Sequence, residues 1–378
     1  MAGDEVAAAV AANKLILYSV YLGGFLVWLL HLFELVVLRP KRLRSKLQKQ
    51  GIEGPPPSFL LGNLPAMRKS LIQHKTQSST ETSTSCDVDV ASWQIYVCGL
   101  ARKQQLCITD VEVLKEIGFC KSLNLGKSSL TSTVGGPLFW QGLLSSNGII
   151  WAHQGKIIAL ELYLDKVKRA PKVLLITMAY HTISSLLITA RLFFFAGHET
   201  IASTASWSLM LLAAHPDWQA RVRAEVLEIC GDKPLNNETL RKMKVLKMVI
   251  KEVLRLYAPA FFVTREALET VTLKNIVIPK GVQLQIRVPF LHQNPDLWGP
   301  NAHKFNPERF ANGILAACQS PQAYMPFGNG PRICVGRHLA TTELKVMLAW
   351  ILSKFSFSLS PTYRHSPVYT RLLSLSMA

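Results

Sequence analysis

Phe327-Gly-Asn-Gly-Pro-Arg-Ile-Cys-Val-Gly336 stands directly before an apolar stretch, Leu339 to Phe355, whose pattern predicts a long helix. Three glycines within these ten residues permit a tight turn and a close approach of the backbone to something flat. Cys334 falls just ahead of the helix N-terminus, where the dipole and free amides lower a thiol pKa and hold a thiolate. Arg332, two residues earlier, is placed to pair with a negative group. The bland reading is a buried cysteine in a glycine-rich turn. For a cysteine taken alone that reading wins, so the rest of the chain has to decide.

Three further segments, read outward from the loop, carry the decision. Glu252 and Arg255 sit three apart on a segment predicted helical from Leu240 to Tyr257, a spacing that is usually a surface ion pair of a few tenths of a kcal/mol. Between them and the cysteine loop lies Phe305-Asn-Pro-Glu-Arg309-Phe310. Ala196-Gly-His-Glu-Thr200 interrupts a long apolar helix from Phe193 to Ala214. A small-Gly step lets a helix widen locally, and a threonine hydroxyl can occupy the opened backbone site. Polar residues in so apolar a helix are otherwise costly. Arg265 follows in Phe-Phe-Val-Thr-Arg265-Glu, and Trp151 opens Trp-Ala-His-Gln-Gly155.

The cysteine loop resembles the haem-binding loop of cytochromes P450, FxxGxRxCxG, with every defined position filled. The resemblance implies a mainly α fold with a small β portion and haem b held through Cys334 as axial iron ligand. Phe327 and Gly336 belong to the same loop motif. Arg332, Arg265 and Trp151 then meet the haem propionates. Glu252, Arg255 and Arg309 resemble the family's buried ExxR triad and are structural. Glu199 and Thr200 resemble its oxygen-activating motif, with Thr200 on the distal water and Glu199 relaying protons. His198 takes no role and belongs on the outer helix face. Electrons would come from NADPH through a flavoprotein, NADPH-cytochrome P450 reductase, for hydroxylation of an apolar small molecule. The wording of Pro40 to Ile52, Glu161 to Lys168 and Phe195 to Pro216 looks most like the plant branch that hydroxylates diterpenoids or other hormones.

Composition agrees with a globular body behind a membrane anchor. Of 378 residues 49% are hydrophobic and 17% charged, too apolar for disorder. The formal charge of +18 raises nucleic acid, but the cations are not interleaved with aromatics or gathered into a nucleic-acid module, so no nucleic acid is expected. Part of the excess (Arg39, Lys41, Arg42, Arg44, Lys46, Lys49) abuts an apolar run from Leu15 to Leu38. About 20 apolar residues span a bilayer. A cleaved signal peptide is the alternative, but no small-x-small site follows. With Asp4 and Glu5 before the run and cations after it, the body faces the cytosol, most naturally at the endoplasmic reticulum. The expected division is a membrane anchor over 1–38, a basic and Pro-rich linker over 39–57 hinging at Gly54-Pro-Pro-Pro57, and a haem domain over 58–378. Residues 70–90 read as a polar, mobile loop. Phe262 to Leu291 reads as a β module with Pro279-Lys-Gly281 at a hairpin tip. Seven dispersed cysteines without CxxC pairs argue against disulfides and structural zinc.

Two departures from the family stand out. Gly155 occupies the place where WxxxR has its arginine, removing a pair worth about 1.5–3 kcal/mol if well made. Only 27 residues separate Lys168 from Ala196, where the family places several helices that roof the substrate pocket. The haem domain is therefore expected to lack much of that roof between 169 and 195. The alternative function is a catalytically dead haem-binding remnant, because water at an unroofed haem uncouples oxygen activation. A tethered interaction protein without haem would make four motifs in order a coincidence.

Overall fold

A computed structural model describes residues 2–58, 61–63, 95–100, 103–120, 123–129, 143, 145–162, 194–231, 235–365, 367–369 and 373–375. The expected Ser/Thr loop over 70–90 and most of the 169–195 interval lie outside them. The described chain is mainly α-helical with a small β portion.

Helix α1 (Ala2–Phe33) continues through a π turn, Glu34–Leu38, into α2 (Arg39–Gln48). Ile16–Gln48 is long and apolar enough to cross a membrane by length and composition, and its apolar window is not covered by the rest of the protein. The linker is less free than expected. Leu47 is fully buried, and Arg44 donates to the carbonyls of Gly54 and Pro55 at 2.7 Å. Glu53 accepts from Val97 N–H at 2.9 Å, so the proline segment is pinned to the sheet instead of swinging. Prolines leave carbonyls without their own amide partners, and here Arg44 and Asn63 satisfy them.

Five strands form the main sheet in the order β1-β2-β7-β4-β3. They are β1 (Ile95–Leu100), β2 (Lys103–Ile108), β3 (Leu125–Gly126), β4 (Phe262–Ala267) and β7 (Gln283–Arg287). Only the β2–β7 pairing is parallel. Helix α3 (Val111–Phe119) packs on this sheet through Val113, Leu114 and Ile117, capped by Asp110, whose carboxylate accepts from Glu112 and Val113 amides. Strands β5 (Val271–Leu273) and β6 (Ile276–Ile278) pair as a hairpin. Its tip is Lys274-Asn275, with Lys274 at φ 53°, and not Pro279-Lys-Gly281, which turns the chain onward into β7. A two-residue hairpin loop selects positive φ, a requirement the Pro-Lys-Gly signal obscured.

The second core is helical. After α4 (Gly148–Leu162) and a π turn at Phe194–His198 come α5 (Glu199–Ala214) and α6 (Pro216–Cys230). The segment expected as one helix breaks at Met243 into α7 (Asn237–Lys242) and α8 (Lys244–Leu256). The start of α8 lacks a side chain of its own to cap it. Glu225 of α6 accepts from the amides of Lys244, Val245 and Leu246 at 2.6, 2.7 and 2.9 Å. That cap comes from a neighbouring helix, and three charge-assisted bonds offset the broken helix. Helix α9 (Arg337–Lys354) inserts Leu344, Leu348 and Leu352 among Trp207, Leu212, Val222, Val249 and Val253.

Candidate functional site: a cysteine loop ringed by cations

Tertiary structure turns two motifs, Glu252–Arg255 and the segment of Arg309, into one frame. Glu252, fully buried, takes a bidentate contact from Arg255 (Nε to Oε2 and Nη2 to Oε1, both 2.8 Å) and a third from Arg309 Nε at 3.2 Å. Arg255 also donates to the carbonyls of His292 and Ala302. A buried pair is costly to desolvate, and it persists where every remaining proton finds an acceptor, as here. His292 extends the frame: its Nδ1 bonds the Arg255 carbonyl at 3.0 Å and its Nε2 accepts from Met325 N–H at 2.9 Å. Complete burial pushes its pKa down to about 3 and keeps the ring neutral. Sequence reading gave His292 no role.

From Met325 the chain enters the cysteine loop. Cys334 N–H donates to the Phe327 carbonyl at 2.8 Å, and the Asn329 side chain accepts from Gly330 N–H at 2.7 Å. Gly328 and Gly330 hold φ of 77° and 71°, a region that favours glycine. A Cβ on Gly330 would stand 2.7 Å from the Gly118 carbonyl oxygen, so this close approach is to the end of α3. Gly336, at φ −84°, caps α9 and offers its N–H to the Cys334 sulfur. The thiol is nevertheless pushed up, against expectation. Desolvation outweighs the Gly336 amide and the attraction of Lys127 and Arg337, although the residue is exposed at the surface.

Around this loop stands a set of cations. Arg332 lies 4.0 Å over the Trp151 ring of α4 and donates to Asn147 Oδ1 at 3.2 Å. Arg265, buried on β4, donates to the Thr264 carbonyl at 2.8 Å, and burial beside Arg332 brings its pKa down to about 10. Lys127, just past β3, is lowered to about 8 by desolvation and then by Arg265 and Arg332. Among the described residues no carboxylate pairs with any of the three. Glu266, next to Arg265, turns to Lys103 and Ser129 instead. A metal-binding macrocycle carrying two carboxylates fits this arrangement: a sulfur for its iron and uncompensated cations for its anions.

Thr200 and Glu199 lie apart from this cluster, at the start of α5. Thr200 Oγ1 donates to the Ala196 carbonyl at 2.7 Å, inside the π turn, so the widened helix expected from Ala-Gly is present. Glu199 and His198 are exposed, and a Cβ on Gly197 would meet nothing described within 4 Å. Helix α5 joins the cysteine loop through α9, against which Ile201, Ala205 and Leu212 pack.

A helical body, a small sheet and a cysteine loop under a cationic ring define a haem-thiolate class of protein. The cytochrome P450 family model matches residues 166–377, and this chain belongs to that family. It is similar to cytochrome P450 714C2 of Oryza sativa subsp. japonica, 34% identical over 90% of this chain and 92% of the relative. It is similar also to cytochrome P450 714A2 of Arabidopsis thaliana, at 29% over 91% and 93%. The 11-oxo-beta-amyrin 30-oxidase of Glycyrrhiza uralensis is 45% identical over 49% of this chain and 35% of its own length. The rice alignment runs over 483 positions against a chain of 378, so at least 105 of them have no counterpart here. Family membership makes the chain a haem-iron monooxygenase supplied with electrons by a redox partner such as an NADPH-dependent reductase, acting on a hydrophobic substrate. The monooxygenase reading is thereby favoured over the catalytically silent remnant.

Proposed function

We propose that Cys334 ligates the haem iron, that Arg332, Arg265 and Trp151 receive the propionates, and that the substrate is a plant diterpenoid or another hormone. The observation carrying the site is that Arg265 and Arg332, without a carboxylate partner among the described residues, stand beside a cysteine whose backbone is locked to Phe327. The substrate class is supported by the relative whose name gives oxidation of 11-oxo-beta-amyrin. When bound, haem iron supplies the activation of dioxygen. The chain's own work is to hold and shield it. Phe327 and Gly336 position the cysteine, one through its carbonyl and one through its amide. Thr200 occupies the opened turn of its helix and holds a distal water, which Glu199 supplies with protons from its exposed position.

The proposed arrangement in the cell is single-pass, at the endoplasmic reticulum, with the haem domain on the cytosolic side and α1 in contact with lipid. The apolar helix followed by Arg39, Lys41, Arg42 and Lys46 supports it. The domain division is 1–38, 39–57 and 58–378, with the roof shortened between 169 and 195. The rice alignment, longer than this chain, is in keeping with that shortening.

A reduced carbon monoxide difference spectrum on membranes expressing the chain tests the ligand assignment. A strongly red-shifted thiolate-type band is expected, lost in Cys334→Ala. A band that survives the substitution would overturn it.

A further inference from the structure

We propose that Cys98 and Cys107 form a redox-active dithiol, a site at which a hydroperoxide such as hydrogen peroxide converts the two thiols into a disulfide that staples β1 to β2. No sequence motif marks the pair, and the site owes nothing to the haem assignment above.

Strand register brings the two sulfurs together. The residues lie nine apart in the chain, without the CxxC spacing that would mark a pair in sequence. In the antiparallel β1–β2 ladder Cys98 faces Gln105 and Tyr96 faces Cys107, so the two cysteines are diagonal neighbours on one face. Both are free thiols, with their sulfurs in contact at 3.7 Å. A disulfide needs about 2.05 Å, an approach that side-chain rotation and a small strand shift supply. A buried cysteine is usually a small hydrophobe. That reading suits the opposite face of the sheet, where Val97, Leu106, Leu284 and Ile286 join the core. The face of Cys98 and Cys107 is polar instead: Gln105 and Gln285 side-chain oxygens accept from the two thiols, at 3.7 Å from Cys98 and 3.4 Å from Cys107.

The neighbours prepare one sulfur for attack. Hydrogen bonding from Cys98 is the largest influence that brings the Cys107 thiol down to about 7, against desolvation. Arg287, which also lies 5.4 Å over the Tyr96 ring, attracts the sulfur's charge, and both residues add hydrogen bonds to it. Cys107 is therefore the nucleophile and Cys98 the resolving thiol. The Cys107 thiolate attacks one peroxide oxygen, the O–O bond breaks, and the departing hydroxide becomes water with the proton the thiol gave up. The Cys98 sulfur then displaces the hydroxyl of the Cys107 sulfenic acid, which leaves as a second water with the Cys98 proton. Two thiols lose two electrons, and the peroxide takes them up as two waters. Both sulfurs are buried, so the site selects small oxidants. The staple acts on more than the hairpin: β1 is the edge strand, and its Val97 N–H holds the linker at Glu53.

The test uses the full-length chain in membranes, native and as Cys98→Ala, Cys107→Ala and Cys334→Ala, exposed to hydrogen peroxide until Cys120 is oxidised. Remaining thiols are alkylated, and the digested chain is read by mass spectrometry. The native chain is expected to yield a linked Cys98–Cys107 peptide pair, split by dithiothreitol, with no sulfenic acid trapped by dimedone at Cys107. Cys98→Ala should stop at a dimedone-trapped sulfenic acid on Cys107, formed about tenfold more slowly because the hydrogen bond that favours the thiolate is gone. In Cys107→Ala, Cys98 should stay a free thiol. Cys334→Ala keeps the pair and should form the staple as the native chain does, whatever its carbon monoxide band shows. Recovery of Cys98 and Cys107 as alkylated thiols from the peroxide-treated native chain overturns the proposal, and so does a bond from either to another cysteine. A sulfenic acid on Cys98 in Cys107→Ala, formed as fast as the native staple, overturns the assignment of Cys107 as nucleophile.

Discussion

The cysteine loop and the π turn at the head of α5 both carry family motifs, yet they are held in different ways. Around Cys334 nearly every constraint is long-range. Met325 leans on His292, Gly330 on Gly118, Arg332 on Asn147 and Trp151, and the Glu252–Arg255–Arg309 triad braces the segment that follows α8. At Thr200 the described bonds are local: its hydroxyl reaches Ala196 one turn back, and Thr204 and Ser208 repeat the same back-bond down the helix. The lesson is that the proximal half of the site is over-determined by contacts among described residues. At Thr200 the described contacts are those of its own helix.

Breaking the proximal frame should cost most. Glu252→Gln leaves two buried arginines without their anion, a loss of about 3–5 kcal/mol, and chemical denaturation should show a matching fall together with loss of holoprotein. A loss below about 1 kcal/mol would mean that the frame is not what holds the loop. Damage to the distal half should leave stability and the carbon monoxide band intact. Thr200→Ala is expected to lower product formed per electron pair by about 10²-fold, the low end for a positioned proton-transfer group. Parallel measurement of NADPH consumption and product separates this from slow electron supply, and unchanged coupling would remove Thr200 from the proposed relay.

The smallest of these effects sharpens the comparison through pH. His292 is held near pKa 3 while an unfolded histidine titrates near 6.5. Below pH 6.5 the unfolded chain takes up a proton that the folded chain refuses. His292 therefore supports stability fully above pH 6.5 and progressively less as pH falls toward 3. His292→Gln should cost about 1–3 kcal/mol at neutral pH, from imperfectly replaced buried bonds, and should flatten the acid limb of a stability–pH curve. An acid limb as steep in the variant would place the titrating group elsewhere.

Much of the site was readable before folding because its chemistry depends on local spacing. Glycines at positive φ, a cysteine ahead of a helix and a Glu–Arg pair one turn apart are statements about neighbours in the chain. Lys127, Asn147 and His292 were not readable: each is an ordinary residue in its own segment and acquires meaning from strand register or burial. The same holds for the Glu225 cap on α8 and for the hairpin tip at Lys274.

By itself the sequence determined the mostly helical class, the apolar N-terminal helix and the order of the motifs, since each follows from periodicity or from residue types at fixed spacing, and the motifs carried the resemblance to the family. Only tertiary structure decided that desolvation pushes the Cys334 thiol up, and that the proline linker is pinned. It also decided that Lys127 joins Arg265 and Arg332 beside the loop. These outcomes depend on desolvation and on which distant groups come within a few ångströms, and the pattern of residues along a chain records neither.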